Sequence, residues 1–287
     1  MAERAAAAAQ RRRRGAIIGA AVAVVVVLGA VIWLVVGMGG SKKSTTAKAS
    51  PGASTSAAAA SGHCTWKPNP GPSASGPANP NLKNVGTPPL TDVPHAGTRD
   101  MMINTNLGPI VIRMDLAKAP CTAESFSYLA SKGFFNGSSC HRLVNQSSTD
   151  QQGQPAEFHV LQCGDPTGTG QGGPTYQFDN EYVPTDQRPA YPAGSVAMAN
   201  SGPNTNGSQF FIVYGDTLLS ADYTLFGTVT KGLDVAQQVA AAGDDGAFAN
   251  DAGGGHPKKK ITFNSVTVGP VQDASASASA AASPSHS

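Results

Sequence analysis

No Gly-x-Ser-x-Gly turn occurs in this chain, which counts against a serine hydrolase of the strand-turn-helix type. The glycine-rich run Pro166–Gly173 is followed by neither a Lys-Ser/Thr pair nor a helix signal, so it is not a phosphate-binding loop. No two Cys or His stand at ligand spacing with a second pair nearby, and no metal site is expected. Internal repeats are absent. A basic surplus is also missing where it would matter. The formal charge is +2, but residues 1–40 carry five Arg and one Glu, and the remainder holds 15 basic against 17 acidic side chains. The basic balance is therefore a topology signal and gives no reason to expect nucleic-acid binding. The one other basic cluster, Lys258-Lys259-Lys260, adjoins the apolar Ile261-Thr262-Phe263 and reads as a solvated strand end.

What is present begins with Arg11-Arg12-Arg13-Arg14 and an uncharged stretch over 15–37, rich in Val, Ala, Ile and Leu. A helix needs about 20 such residues to cross the hydrocarbon core, so 15–37 is expected to span a membrane. A cleaved signal peptide is the alternative, but its apolar region is usually about 7–15 residues long. The tidy small-residue cleavage pattern, Ala47-Lys48-Ala49, lies well past the end of the run. The arginines keep residues 1–14 in the cytoplasm and send the remainder outward. Lipid attachment is not expected, because the first cysteine, Cys64, is far downstream.

Residues 38–97 are mostly Ser, Ala, Pro, Gly, Thr and Asn, and such a composition reads as an extended linker. Residues 271–287 form a similar low-complexity tail. Between them, 98–270 holds Ile, Val, Leu, Phe and Tyr in strand-like clusters. Met101–Thr105 and Ile110–Met114 flank a turn and predict a hairpin. A helix is expected from a Thr122 cap, with Phe126, Leu129 and Ala130 on one face and Gly133 as its stop. Further strands fit Cys140–Val144, Phe158–Gln162, Ser195–Ala199, Gln209–Tyr214, Leu225–Thr230 and Ile261–Val268, with a second helix over Leu233–Ala242. Many short strands with two helices predict a mainly β, closed or nearly closed barrel.

Four cysteines outside a membrane allow two disulfides in three connectivities. Cys140 and Cys163 fall on strands expected to be neighbours, which favours that pair and leaves Cys64 with Cys121. Free buried thiols are the alternative.

The most informative segment is Met198–Ile212, in which Gly202-Pro203-Asn204 and Asn206-Gly207 run without a spacer into Phe210-Phe211-Ile212-Val213-Tyr214. Asn and Gly tolerate positive φ and Pro fixes its own, so the loop should be shaped rather than floppy. An apolar strand behind a polar rim is how small-ligand and peptide pockets are commonly built. Two further clusters accompany it: Cys140-His141-Arg142-Leu143-Val144, and Gln162-Cys163-Gly164-Asp165 with its glycine-rich continuation. Taken alone, Arg142 would read as a partner for a structural carboxylate.

Together with Ala119–Phe126, Gly137–Arg142, Ser195–Ile212 and Phe226-Gly227-Thr228-Val229, these clusters resemble the cyclophilin family of peptidyl-prolyl cis/trans isomerases, over about Met101 to Val268. The resemblance implies an eight-stranded antiparallel β-barrel closed by two helices, no cofactor and no metal, and proline-containing polypeptides as partners. It assigns catalysis to Arg142, Gln162 and Phe211. Substrate binding falls to Val160, Ala199, Asn200, Ser201, Gln209, Leu218, Leu219 and Tyr223. Leu218 stands where many members carry a Trp that hydrogen-bonds cyclosporin, and Tyr223 replaces a common His, which counts against tight cyclosporin binding. Before Gln162, either His159 occupies a position usually held by Phe or the strand entry is shifted by one. The polar stretch Asn145–Glu157 reads as a long loop able to gate the groove.

Overall fold

The computed structural model describes residues 62–69, 79–149, 155–250 and 252–273. The expected membrane span and most of the expected tail lie outside these residues. Among the described residues no helix is long and apolar enough to cross a membrane.

In chain order the elements are β1 (Lys67–Pro68), β2 (Leu82–Lys83), β3 (Thr98–Thr105), β4 (Gly108–Asp115), α1 (Pro120–Ser131), β5 (Arg142–Thr149) and β6 (Pro155–Cys163). There follow β7 (Gly173–Pro174), β8 (Tyr176–Gln177), β9 (Ser195–Met198), β10 (Phe210–Val213), β11 (Leu225–Lys231), α2 (Leu233–Ala241) and β12 (Phe263–Val268). Eight strands form one antiparallel sheet in the order β12-β3-β4-β11-β9-β10-β6-β5. Its two edges are drawn together. Cys140 N donates to Ile261 O and Phe263 N to Ser138 O, so the entry to β5 is bonded to the entry to β12. Closure of this kind satisfies edge groups that would otherwise face solvent or another chain.

β10 explains why its sequence is continuously apolar instead of alternating. Phe210 and Ile212 point into the main core with Phe126, Phe226 and Phe263, whereas Phe211 and Val213 point to the other face. There they meet a second cluster containing Val144, Val160, Tyr191 and Ala197. Both faces of the strand are covered, so both sets are buried.

The helix α1 departs from the expected Thr122 cap. It starts at Pro120, whose missing N–H is no loss in the first turn, and its N-cap residue Ala119 makes no side-chain bond. The cap comes from outside the helix. Glu181 accepts from Cys121 N (2.8 Å), Thr122 N (2.7 Å) and Thr122 Oγ1 (2.6 Å), and Thr122 itself is buried. A carboxylate at a helix N-terminus also complements the macrodipole.

Two expectations about loops are corrected. Asn145–Thr149 and Pro155–Glu157 are not a free polar loop: β5 and β6 continue in register through Asn145↔His159 and Ser147↔Glu157 to Thr149↔Pro155, and residues 150–154 between them lie outside the described residues. Ser and Thr are compatible with a solvated strand, and the cross-strand bonds absorb their backbone groups. Nor is the described part of the expected linker loose. β1 pairs antiparallel with β8 and β2 parallel with β7, the Trp66 ring meets Tyr176 and Phe178 edge-on, and Cys64 is bonded to Cys121. Residues 62–69 and 79–97 thus form a strap over the domain that follows. The second disulfide joins Cys140 to Cys163 beside the β5–β6 ladder. Both pairs are the favoured ones.

Candidate active site

The sheet register places three of the singled-out side chains in one row. Arg142 on β5 pairs with Gln162 on β6, and Gln162 pairs with Phe211 on β10, which pairs in turn with Ala197 on β9. Direct cross-strand partners project to the same face with their Cβ atoms about 4.5–5.5 Å apart. A strand face is thereby converted into a surface with a cation, an amide and an aromatic ring in sequence.

Hydrogen bonds fix that row. Arg142 Nη1 donates to Gln162 Oε1 (2.9 Å), Gln162 Nε2 donates to Gln209 Oε1 (2.9 Å), and Gln209 Nε2 donates to the carbonyls of Gly170 (2.9 Å) and Gly172 (3.0 Å). Each amide is thus oriented by the next, with its oxygen toward the arginine side. Arg142 is gripped from the other flank as well. Its Nε donates to Gly253 O at 3.0 Å and its Nη2 to Ala252 O, and its guanidinium lies 5.6 Å from the ring centre of Phe158.

The cavity above this row measures about 550 Å³. Phe211, 5% exposed, lies at its base and meets Tyr191 and Tyr223 edge-on at 6.0 and 5.4 Å. Tyr191 is itself fixed, donating its hydroxyl to Tyr223 O and accepting from Tyr223 N. Val160, Leu219, Tyr223, Ala199 and Asn200 complete the expected lining. Ser201 and Gln209 line an adjoining cavity of about 460 Å³. Leu218 does not join them. It is 60% exposed, and its backbone N–H is spent on Glu157 O, because the residue beside it, Leu219, takes the inward position.

The question of His159 is settled by strand alternation. Phe158, Val160 and Gln162 face the cavity. His159 points away, bonded to Asn145 and Glu157 and in edge contact with Tyr214. Phe158 was therefore a missed lining residue, as was Phe248, which sits among Gly, Ala, Asn and Asp where no periodic pattern marks it. His141 also went unassigned, although its place next to Arg142 was a signal. It is 5% exposed, neither ring nitrogen finds a hydrogen-bond partner, and burial lowers its pKa to about 4.

The loops around the cavity are shaped by their own side chains. Asn200 Oδ1 accepts from Gly202 N, while Thr205 Oγ1 accepts from Ser201 N and donates to Gly202 O. On the facing side Asp165 gathers the glycine-rich run by accepting from Thr167 N, Gly170 N and Gly172 N. Burial raises the Asp165 pKa, but the bonds from the Thr167 hydroxyl and from Thr167 N and Gly172 N, with the neighbouring His141, outweigh it and leave it below the ordinary value. Gly172 is required there, since a Cβ would stand 2.0 Å from Asp165 Oδ1.

Residues 100–268 match the family model described as cyclophilin type peptidyl-prolyl cis-trans isomerase/CLD. The chain belongs to this family. It is 39% identical over 215 residues to a probable peptidyl-prolyl cis-trans isomerase B of Mycobacterium leprae, covering 71% of this chain and 66% of that protein. Against the Mycobacterium tuberculosis protein of the same name it is 40% identical over 215 residues, covering 71% of this chain and 63% of the relative. The matched stretch thus spans just under two thirds of these relatives. A crystal structure of a cyclophilin type peptidyl-prolyl cis-trans isomerase from Cryptosporidium parvum aligns at 25% identity and a TM-score of 0.49, over 61% of this chain and 99% of its own.

Proposed function

We propose that this protein accelerates cis/trans rotation about X-Pro bonds, without cofactor or metal. The observation that carries this reading is the Arg142–Gln162–Phe211 row, with a charged donor held beside an apolar floor. Resonance raises the barrier to amide rotation to about 18–20 kcal/mol. For X-Pro both isomers are accessible, but exchange takes about 10–100 s without help. No nucleophile and no proton relay is needed. The catalyst must bind the twisted amide, whose nitrogen becomes pyramidal and basic, better than the planar one. Phe211, Val160 and Leu219 would receive the proline ring. Arg142 would donate to the prolyl nitrogen or carbonyl, and it suits this because it stays charged and offers fixed donors. Gln162 would hold that guanidinium and Asn200 the peptide backbone.

The substrates we infer are exported polypeptides that fold outside the membrane. The basic residues and the apolar run over 15–37 support a single span, N-terminus inside and isomerase domain outside. Protease treatment of intact cells tests this topology, and protection of the domain would overturn it.

A proline-binding module or holdase with little turnover is the second reading. One observation favours it: two carbonyls, of Ala252 and Gly253, already engage the Arg142 guanidinium. Arg142→Ala separates the two. Under the enzyme reading it abolishes most isomerisation of a cis-Pro peptide while peptide binding persists. A wild-type protein that binds such peptides but does not speed their isomerisation would establish the second reading.

A further inference from the structure

The strap does more than brace the fold. Asn69, Asn79 and Leu82 reach the cavity adjoining the proline site, and all three lie before residue 100, where the match to the family model begins. This second cavity shares Gln162, Gly170, Gln171, Ala199 and Asn200 with the first, so one extended peptide can lie across both. Among the described residues no ionisable side chain lines it, and its walls are amides, hydroxyls, glycine backbone and the aliphatic side chains of Leu82 and Ala199.

The strap side of this cavity is held in place. Asn69 donates through its backbone N–H to Thr175 O and through Nδ2 to Pro174 O. Asn79 Nδ2 donates to Gln171 O at 3.0 Å, and its Oδ1 accepts from Asn81 N at 2.9 Å. Leu82 is carried by β2, paired with β7 at Gly173. A wall fixed in advance selects at lower entropic cost than one ordered on binding.

We propose that the strap determines substrate specificity: Asn69, Asn79 and Leu82 complete a neutral polar pocket that takes an uncharged amide or hydroxyl side chain of a residue flanking the proline. This rests on the isomerase reading for its substrate and deepens it. An amide or hydroxyl exchanges hydrogen bonds with such walls, whereas a carboxylate or ammonium would lose water without meeting a counter-charge.

The test uses the full-length oxidised protein and X-Pro peptides in which each residue flanking the proline is varied through Gln, Ser, Leu, Lys and Glu. kcat/KM and binding by fluorescence titration are both recorded. At one flanking position Gln and Ser should exceed Lys and Glu by about tenfold, the scale of one well-made hydrogen bond against an uncompensated charge. In Asn79→Ala and Leu82→Ala that ratio should fall toward one. In Asn79→Asp it should turn in favour of Lys, which keeps the test decisive if one variant is unstable. A wild type without the preference, or variants that keep it unaltered, would overturn the proposal. If wild type turns over no peptide, the isomerase reading fails by itself, and the preference in binding still decides the role of the strap.

Discussion

Arg142 is held among the Gln162 amide and the Phe158 ring on its own sheet and the carbonyls of Ala252 and Gly253 on a loop far along the chain. A planar fork meets such a set in a way that a point charge cannot. Arg142→Ala should lower kcat/KM on a cis-Pro peptide by about 10²–10³, the usual cost of removing one transition-state donor. Arg142→Lys should recover little of it, and stopped isomerisation kinetics would read both. His141 makes a separate prediction. Burial, opposed by Asp165 and aided by Arg142 and His256, keeps its imidazole neutral down to about pH 4 in the folded protein. The unfolded chain takes up that proton near 6.5, so between these values the unfolded state binds more protons and stability falls as pH drops. Urea titrations at pH 7 and 4.5 should differ by about 2 kcal/mol from this group, and His141→Gln should remove that share of the slope. Asp245 is distinguishable, because hydrogen bonds from His256 and Ala247 hold its pKa near 2, and its contribution is lost only at lower pH.

Elements are joined here by long-range side-chain and covalent links more than by local caps. The α1 N-terminus depends on Glu181, 59 and 60 residues away from the groups it accepts. Glu181→Ala should leave the partly buried N–H groups of Cys121 and Thr122 without this acceptor and cost about 1–3 kcal/mol in thermal or urea unfolding. The Cys64–Cys121 bond closes a loop with a sequence separation of 57 and ties the strap to α1. Cys64→Ser with Cys121→Ser should destabilise by about 2–4 kcal/mol, with hydrogen exchange rising first in residues 62–69. The hairpin of β5 and β6 shows what composition hides at this scale. A polar stretch with no apolar alternation looked like a loop, but its pairing is set by the partner strand, as in Ser147↔Glu157.

At the scale of the whole molecule, residues 62–69 and 79–97 pack onto the domain that follows them. They cover Tyr176 and Phe178 with Trp66 and add two short strands. A chain beginning at Thr98 and carrying Cys121→Ser should keep the eight-stranded sheet but melt several degrees lower, since about 1 kcal/mol shifts Tm by about 2–4 °C in a domain of this size. Differential scanning calorimetry beside the full-length protein checks this. An unchanged melting temperature would show that the strap rests on the domain without supporting it.

The sequence by itself carried the family, the order along the chain of the eight strands of the main sheet and of the two helices, and the residues of the Arg142–Gln162–Phe211 row. These features are written in short contiguous motifs: the turn residues before Phe210-Phe211, the Cys-His-Arg strand, and Gln162 ahead of a glycine-rich run. Their chemistry is local, because propensity and turn geometry depend on neighbours in the chain. Only the tertiary structure decided that Phe158 and not His159 faces the cavity, that Leu218 stays outside it, that Glu181 caps α1, and that Asn69, Asn79 and Leu82 line the adjoining cavity. Each of these rests on cross-strand register or on contact between distant segments. A one-residue change of register reverses which face a side chain occupies, and no local pattern encodes that choice.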